Sequence, residues 1–320
     1  MPHHPFPTHL RGLRLGRTPA GEWLIRRHDR EDWIELGAYG ADGADPLTLR
    51  DAIRACRKLP SHWSERSPDR PSDTALSAPA FRPGKIVAVA ANYAAHAREV
   101  GLDTDGDLVL FAKFPTSVIG PTDTIEVIAG TSEQVDYETE LAIVIGHTVG
   151  PRRKPLPLHQ AVFGYTVAND VSARDIQSRG NRLTHAKSLD TFLPLGPWIT
   201  RPTAELDVDD LTVTTLVNGA SRQNDSTALM RRNVAQLVQE ISAQITLEPG
   251  DLILTGSPAG SATGMSSPEF LNDGDTVVSS VAGLGELHNT VKVLPPGSSW
   301  DQAASDDTAA TDTALDRDSP

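Results

Sequence analysis

A run of short apolar segments between about Gly84 and about Pro295 is the feature that most constrains the fold of this chain. Segments such as "ELAIVIG" (140–146) and "DLILTG" (251–256) are bounded by Gly, Pro, Asn or Asp, which is typical of β-strands. One segment, "RNVAQLVQEISAQI" (232–245), has the 3.6-residue apolar period of a helix. We therefore predict a mainly β fold with some α-helix.

Several classes of function lose support on sequence grounds. The regular alternation of strands and helices that builds a doubly wound sheet is missing, and so are the GxGxxG and Walker A patterns of nucleotide sites. The formal net charge of −13 argues against nucleic acid or an anionic membrane as a partner. No stretch is long and apolar enough to span a bilayer, so we expect a cytoplasmic protein.

The chain divides into three regions. Residues 1–75 are predicted to form a small N-terminal α+β region, with a helix around Cys56, and a Pro- and Ser-rich linker or surface connection follows at 58–85. Residues 84–295 are predicted to form the main, catalytic domain. Residues 298–320 hold six aspartates and one arginine with little apolar bulk, so we predict a disordered acidic tail. Cys56 is the single cysteine, which excludes a disulfide within the chain, and we interpret it as a core residue.

Two carboxylates interrupt the most apolar strand. The segment "VDYETELAIVIG" (135–146) contains Glu138 and Glu140, and residues i and i+2 of a strand point to one face. Buried together, the two like charges would repel each other, and a divalent cation would remove that conflict. Carboxylate oxygens suit Mg²⁺, Mn²⁺ or Ca²⁺. The alternative is a half-exposed strand whose glutamates face solvent.

A second apolar strand has the same feature. The segment "GYTVANDVSARD" (164–175) delivers Asn169 and Asp170 at the end of an apolar run. An aspartate at the end of a buried strand is a plausible third metal ligand, and a turn or helix cap is its alternative. The second strand favours the metal interpretation of Glu138 and Glu140.

These segments, together with others in the same order, resemble the fumarylacetoacetate hydrolase family, in particular its acylpyruvase and 2-hydroxyhepta-2,4-diene-1,7-dioate isomerase group. The resemblance covers about two thirds of the chain. It implies a mixed β-sandwich roll preceded by the small N-terminal α+β region, usually as a homodimer. It also implies that Glu138, Glu140 and Asp170 bind Mg²⁺ (or Mn²⁺ or Ca²⁺). The motifs that carry it include "NYAAHAREVG", "QVDYETELAIVIG", "GYTVANDVSARDIQ", "AKSLDTFLPLGPWI" and "LEPGDLILTGSPAG".

The resemblance further implies a catalytic pair on a mobile lid, from an N-Y-x-x-H-x-x-E motif that places His96 and Glu99 here. Side chains at i and i+3 meet if the segment is helical. A carboxylate can then orient the imidazole and raise its basicity, which gives a general base for water. The alternative is a solvated helix face.

The remaining site residues also come from the resemblance. It implies catalytic roles for Lys187 and Gln177. Pairing with Ser188 or Asp190 is the alternative for Lys187. Four further residues are implied to bind substrate, and the alternatives are a surface lysine for Lys113 and strand packing for Thr255. The four are Tyr93, Arg174, Thr255 and Lys113.

The implied substrate is a small 2-oxo acid whose enolate the metal stabilises. We expect a hydrolase that cleaves a carbon–carbon bond in an acylpyruvate-like 1,3-diketo acid, because the lid pair is intact. Isomerisation or decarboxylation of a related 2-oxo dicarboxylate is the alternative within the same family. From other classes, the intact set of implied site residues argues against a catalytically inactive binding protein, and a Ca²⁺-dependent carbohydrate-binding β-sandwich would not need the pair of His96 and Glu99.

Overall fold

The computed structural model describes five stretches of the chain. The predicted acidic tail at 298–320 lies outside them. No helix within these stretches is long and apolar enough to cross a bilayer. The described stretches are 6–39, 48–78, 83–101, 106–180 and 182–297.

Strands dominate the described chain. Numbered in chain order they are β1 Leu13–Arg17, β2 Trp23–Arg27, β3 Ile34–Glu35, β4 Ile86–Ala90, β5 Val109–Lys113, β6 Val118–Ile119, β7 Ile125–Ile128, β8 Val135–Asp136, β9 Thr139–Ile145, β10 Val162–Asn169, β11 Ser172–Ala173, β12 Leu193–Thr200, β13 Thr212–Val217, β14 Ala220–Ser226, β15 Leu252–Leu254, β16 Thr276–Val281 and β17 Gly285–Leu294. The helices are α1 Leu49–Cys56, α2 Ala94–Glu99, α3 Leu158–Ala161, α4 Arg174–Gln177, α5 Leu183–Lys187 and α6 Val234–Gln244.

Two mixed sheets form the body of the molecule. The larger, 10-stranded sheet runs β3-β2-β1-β12-β10-β9-β15-β4-β5, with β6 beside β12, and the 5-stranded sheet runs β14-β13-β16-β17-β7. Apolar side chains of β9, such as Leu141 and Ile143, share a buried cluster with Val213 and Val281 of the smaller sheet. Burying apolar surface between two sheets is the arrangement of a β-sandwich. The predicted mainly β fold with mixed sheets is confirmed.

The N-terminal strands extend the larger sheet. Strand β1 pairs antiparallel with β12, with Leu15 opposite Ile199. Cys56 of α1 and Trp63 lie in the same buried cluster as Ile199. The Pro- and Ser-rich segment therefore does more than connect two regions, because its Trp63 is 1% exposed and Trp33 pairs with its Arg70.

Helix α6 confirms the helix predicted at 232–245. It begins after Asn233, whose side chain accepts from the backbone N–H of Gln236, while the Gln236 side chain accepts from the backbone of Asn233. This capping box satisfies N–H groups that the first turn leaves unpaired. The buried face of α6, which includes Leu237 and Ile241, packs into the cluster between the sheets.

Strand order brings the candidate site residues together at one end of the central strands of the larger sheet. Strands β10 and β9 are antiparallel, with Asn169 opposite Thr139, so the end of β10 meets the start of β9. The backbone N–H of Asp170 donates to the carbonyl oxygen of Glu138 over 2.8 Å. Strands β4 and β15 are parallel, and both end on this same side of the sheet, where β4 leads into α2.

Candidate active site

Three carboxylates converge where β10 ends and β9 begins. Glu138, Glu140 and Asp170 each offer an oxygen that lies within 4.8 Å of the others, and all three residues are buried. The half-exposed strand considered for the two glutamates is wrong, because they are 4% and 2% exposed. Every residue of β9 is buried, so the strand has no solvent face on which to place a charge.

Arg174, the first residue of α4, binds the carboxylate of Glu138 and a further buried carboxylate, that of Asp136. Its Nε donates to Asp136 over 2.8 Å and its Nη2 donates to Glu138 over 2.5 Å. Its Nη1 donates to the side-chain oxygen of Gln177 over 3.0 Å. With all three nitrogens engaged, Arg174 fixes the carboxylates around it. It lines the pocket, as its predicted substrate-binding role requires, but its hydrogen bonds go to protein groups.

Two lysines complete the charge balance. Lys187, the last residue of α5, donates to Oδ2 of Asp170 over 2.7 Å and also to Glu138. Lys113 donates to Oδ1 of Asp170 over 2.6 Å. Counting Asp136 and Arg174, four carboxyl groups lie against three cationic side chains, so the cluster has one more carboxyl group than cationic side chains.

The two glutamates respond to this environment in opposite directions. Burial alone would raise the pKa of Glu138, but Arg174 and Lys187 hold it well below its usual range. Burial and the neighbouring charges of Asp170 and Glu138 raise the pKa of Glu140 well above its usual range. The backbone N–H of Gly256 donates to Glu140 over 2.7 Å, which is too little to offset two like charges.

The set of donors fits a hard divalent cation. It consists of carboxylate oxygens, the ligands that Mg²⁺ and Mn²⁺ prefer, and a cation beside Glu140 would relieve the like-charge conflict that raises its pKa. Glu138, Glu140 and Asp170 could therefore hold such an ion.

The lid motif folds as the short helix α2, which lies against the carboxylate cluster. His96 Nδ1 is 3.1 Å from Oε2 of Glu99, and His96 Nε2 is 3.0 Å from Oε1 of Glu138. His96 is 6% exposed, so this is not a solvated helix face. Burial lowers the pKa of His96, but hydrogen bonds to Glu138 and Glu99 outweigh burial and raise it to about 9.

A pocket opens onto the cluster. Its polar wall includes Gln177 at the end of α4 and Lys187 at the end of α5, both predicted to be catalytic. Apolar residues of β4, β5 and α5 also line it. The lining residues are Val89, Ala90, Ala91, His96, Val100, Phe111, Glu138, Glu140, Asp170, Arg174, Gln177, Leu183, Lys187, Gly256 and Ser257.

Tyr93 and Thr255, both predicted to bind substrate, are not among the residues that line this pocket. Tyr93 is 1% exposed and packs in the cluster between the sheets. The hydroxyl of Thr255 donates to the carbonyl oxygen of Leu141 over 2.9 Å and so links β15 to β9. Both positions support the walls of the site.

Two supporting groups were not predicted as site residues. Asp136 is fully buried and, besides binding Arg174, accepts from the backbone N–H of Ala262 over 2.8 Å. Its alternation with the two glutamates at 138 and 140 is a signal that the sequence contains. The backbone N–H of Gly260 donates to Glu99 over 2.9 Å, a contact that no side-chain pattern could reveal.

Comparison with known proteins found a matching family model and similar proteins. The family model described as "Fumarylacetoacetate (FAA) hydrolase C-terminal" matches residues 85–292. The oxaloacetate tautomerase YisK of Bacillus subtilis is 37% identical over 223 residues, which are 69% of this chain and 74% of that protein.

Two solved structures are similar over most of the chain. A fumarylacetoacetate hydrolase from Exiguobacterium antarcticum is 37% identical with a TM-score of 0.76, covering 88% of this chain and 100% of that one. A 2-hydroxyhepta-2,4-diene-1,7-dioate isomerase from Mycobacterium marinum is 34% identical with a TM-score of 0.65, covering 89% and 99%. The similar proteins thus include a hydrolase, an isomerase and a tautomerase.

Proposed function

Because the chain belongs to the fumarylacetoacetate hydrolase family, we propose that it is an enzyme that interconverts the keto and enol forms of a small 2-oxo dicarboxylic acid. The observation that carries this proposal is the position of His96, whose Nε2 faces the carboxylate cluster while Glu99 holds its Nδ1. The tautomerase and isomerase activities named for two relatives support the same reaction class.

The reaction needs one proton to leave the carbon next to the keto group and one to reach the keto oxygen. His96 lines the pocket, and because its pKa is raised to about 9 it holds a proton near neutral pH, which it can donate to the keto oxygen before it takes the proton from the carbon. The electron pair of the broken C–H bond forms the C=C bond of the enol. No oxidant or reductant is required.

Lys187 and Gln177 would stabilise the negative charge that develops on the keto oxygen. Lys187 is already placed between Glu138 and Asp170, and the amide oxygen of Gln177 is occupied by Arg174. Only the NH₂ group of Gln177 is therefore available to a substrate, and it is a donor. Both side chains line the pocket.

Glu138, Glu140 and Asp170 would hold the divalent cation, which supplies positive charge to the 2-oxo acid oxygens. The cluster has one more carboxylate than cations, so a divalent ion would leave it with an excess of positive charge. Such an excess favours an anionic substrate. Val89 and Phe111 add apolar surface to the lining of the pocket.

Hydrolysis of an acylpyruvate is the second candidate. It is favoured by the intact pair of His96 and Glu99, which can activate a water molecule, and by the hydrolase among the similar structures. The two reactions share the 2-oxo acid end of the substrate. They differ in whether a carbon–carbon bond breaks, so product analysis separates them.

The test compares the two reactions in one preparation. With Mg²⁺ or Mn²⁺, the purified protein should accelerate the enol–keto conversion of oxaloacetate beyond the uncatalysed rate, followed by ultraviolet absorbance. His96→Ala should lower kcat on the order of 100-fold, the usual scale for a general acid–base residue. The matched control is His288→Ala, because His288 also pairs with a glutamate, over 3.1 Å, but is 58% exposed.

Two outcomes would overturn the proposal. If His96→Ala tautomerises oxaloacetate at the wild-type rate, the proton-transfer group lies elsewhere. If the wild type releases pyruvate from acylpyruvates with a higher kcat/KM than it shows for tautomerisation, hydrolysis is the main reaction.

A further inference from the structure

The loop after β15 contacts Glu99, the carboxylate partner of His96. The backbone N–H of Gly260 donates to both oxygens of Glu99, over 2.9 Å to Oε1 and 3.2 Å to Oε2. Oε2 is also the atom that meets Nδ1 of His96. Hydrogen bonds therefore connect Gly260 to Glu99 and Glu99 to His96.

Gly264, four residues further along this loop, leaves the space that Glu99 occupies. A Cβ atom added to Gly264 would lie 2.7 Å from Cγ and 2.8 Å from Oε1 of Glu99, and closer still to Cδ. Real Cβ atoms do not approach other heavy atoms this closely. The φ of Gly264 lies outside the left-handed region, so an alanine would find its backbone conformation acceptable. Space for Glu99 is the constraint at this position.

Gly260 is constrained for a different reason. Its φ is +104°, a conformation that favours glycine, and an added Cβ would overlap the carbonyl oxygen of Arg222 on β14. The loop is thus fixed to the smaller sheet at Gly260, which sets the position of the N–H that Glu99 accepts.

We propose that Gly260 and Gly264 are positioning residues for the reaction, forming a seat that holds Glu99 so that His96 presents Nε2 to the carboxylate cluster. The proposal rests on the role of His96 given above and adds that this role depends on the loop 260–264. Without the seat, Glu99 is free to rotate, and the imidazole loses the partner that fixes its orientation.

The first test is Gly264→Ala. Because the carboxylate of Glu99 is the far end of a flexible side chain, the substitution should displace Glu99 and leave the fold intact. We expect kcat to fall on the order of 10-fold or more, with KM and the melting temperature nearly unchanged. The matched control is Gly106→Ala, since an added Cβ at Gly106 meets no atom within 4 Å and its φ is ordinary.

The second test is a double-mutant cycle. Glu99→Ala removes the side chain that Gly264 accommodates, so Gly264→Ala should cause no further loss of kcat in that background. A merely structural role of Gly264 would give losses that multiply. Losses of kcat that multiply in the double variant, or a Gly264→Ala protein with wild-type kcat, would overturn the proposal.

A third measurement does not depend on the substrate. Hydrogen exchange of the amides in α2, followed on the metal-free protein, should accelerate in Gly264→Ala and not in Gly106→Ala. Faster exchange without tautomerase activity in the wild type would refute the proposed function and leave the seat standing. Unchanged exchange in Gly264→Ala would refute the seat, whatever the reaction proves to be.

Discussion

Lys113 donates a 2.6 Å hydrogen bond from its buried ammonium group to Oδ1 of Asp170, while Lys187 takes the other oxygen. The ammonium of Lys113 also donates to the carbonyl oxygens of Val171 and Phe192, over 3.3 and 2.8 Å. Lys113 is 2% exposed, so the surface lysine considered from the sequence is wrong. It sits outside the pocket lining and holds the carboxylate that Lys187 shares with the site.

Lys113→Met should destabilise the protein strongly. The substitution leaves Asp170 short of a cation in the interior, and breaking a buried pair by removing one partner costs about 3–5 kcal/mol. Urea unfolding measures this loss. Lys154→Met, at an exposed position, should change the free energy of unfolding by less than about 0.5 kcal/mol. Equal stabilities for the two variants would contradict the burial of the Lys113 pair.

Asp136→Asn tests whether Asp136 organises the site through Arg174. The carboxylate accepts from the backbone N–H groups of Ala262 and Thr263 as well as from Arg174, and an amide offers one oxygen where the carboxylate offers two. We expect Mn²⁺ affinity, measured by calorimetry, to fall on the order of 10-fold because Arg174 loses its second anchor. The exposed control Asp73→Asn should bind Mn²⁺ as the wild type does.

Metal binding should displace a proton from Glu140. An acid whose pKa is raised keeps its proton while ordinary carboxylates have lost theirs, so the cation must compete with that proton and its affinity should fall as the pH falls. Titration in two buffers of different ionisation enthalpy measures the protons released. Glu140→Gln should abolish the release and weaken binding. Heats of wild-type binding that do not depend on the buffer would show that Glu140 is already ionised.

Cys56 should be chemically silent in the folded protein. Burial raises the pKa of its thiol to about 12, so almost no thiolate exists near neutral pH, and the residue is fully buried in α1. We expect no reaction with a thiol-specific disulfide reagent under native conditions and one equivalent in denaturant. Rapid labelling of the native protein would mean that α1 opens readily.

The features that the sequence reveals are local anomalies. Glu138, Glu140 and Asp170 stand out because charged side chains interrupt apolar strands, and that contrast is visible within a dozen residues. Helix α6 is predictable for the same reason, since its apolar period and its cap lie in one segment. Strand periodicity predicts that Glu138 and Glu140 share a face, whereas Asp170 joins them through the pairing of β10 with β9.

What the sequence does not reveal depends on distant pairing. Thr255 turns to the carbonyl of Leu141, 114 positions away, because β15 lies beside β9, and no local pattern sets that neighbour. Lys113 is likewise buried because its ammonium group donates to Asp170 and to the carbonyl oxygen of Phe192, which are distant in the sequence. The same holds for the seat of Glu99, which is made by backbone atoms of a loop that begins 161 residues later.

Strand β1 covers the edge of β12, and this has a consequence for shortened forms of the chain. Without β1 to β3, the apolar end of β12 around Ile199 would present unpaired backbone N–H and C=O groups next to an uncovered apolar cluster. Open edges of this kind add strands from other molecules. A fragment limited to the catalytic segment would thus be prone to self-association and aggregation, so its loss of activity would say nothing about the chemistry of the site.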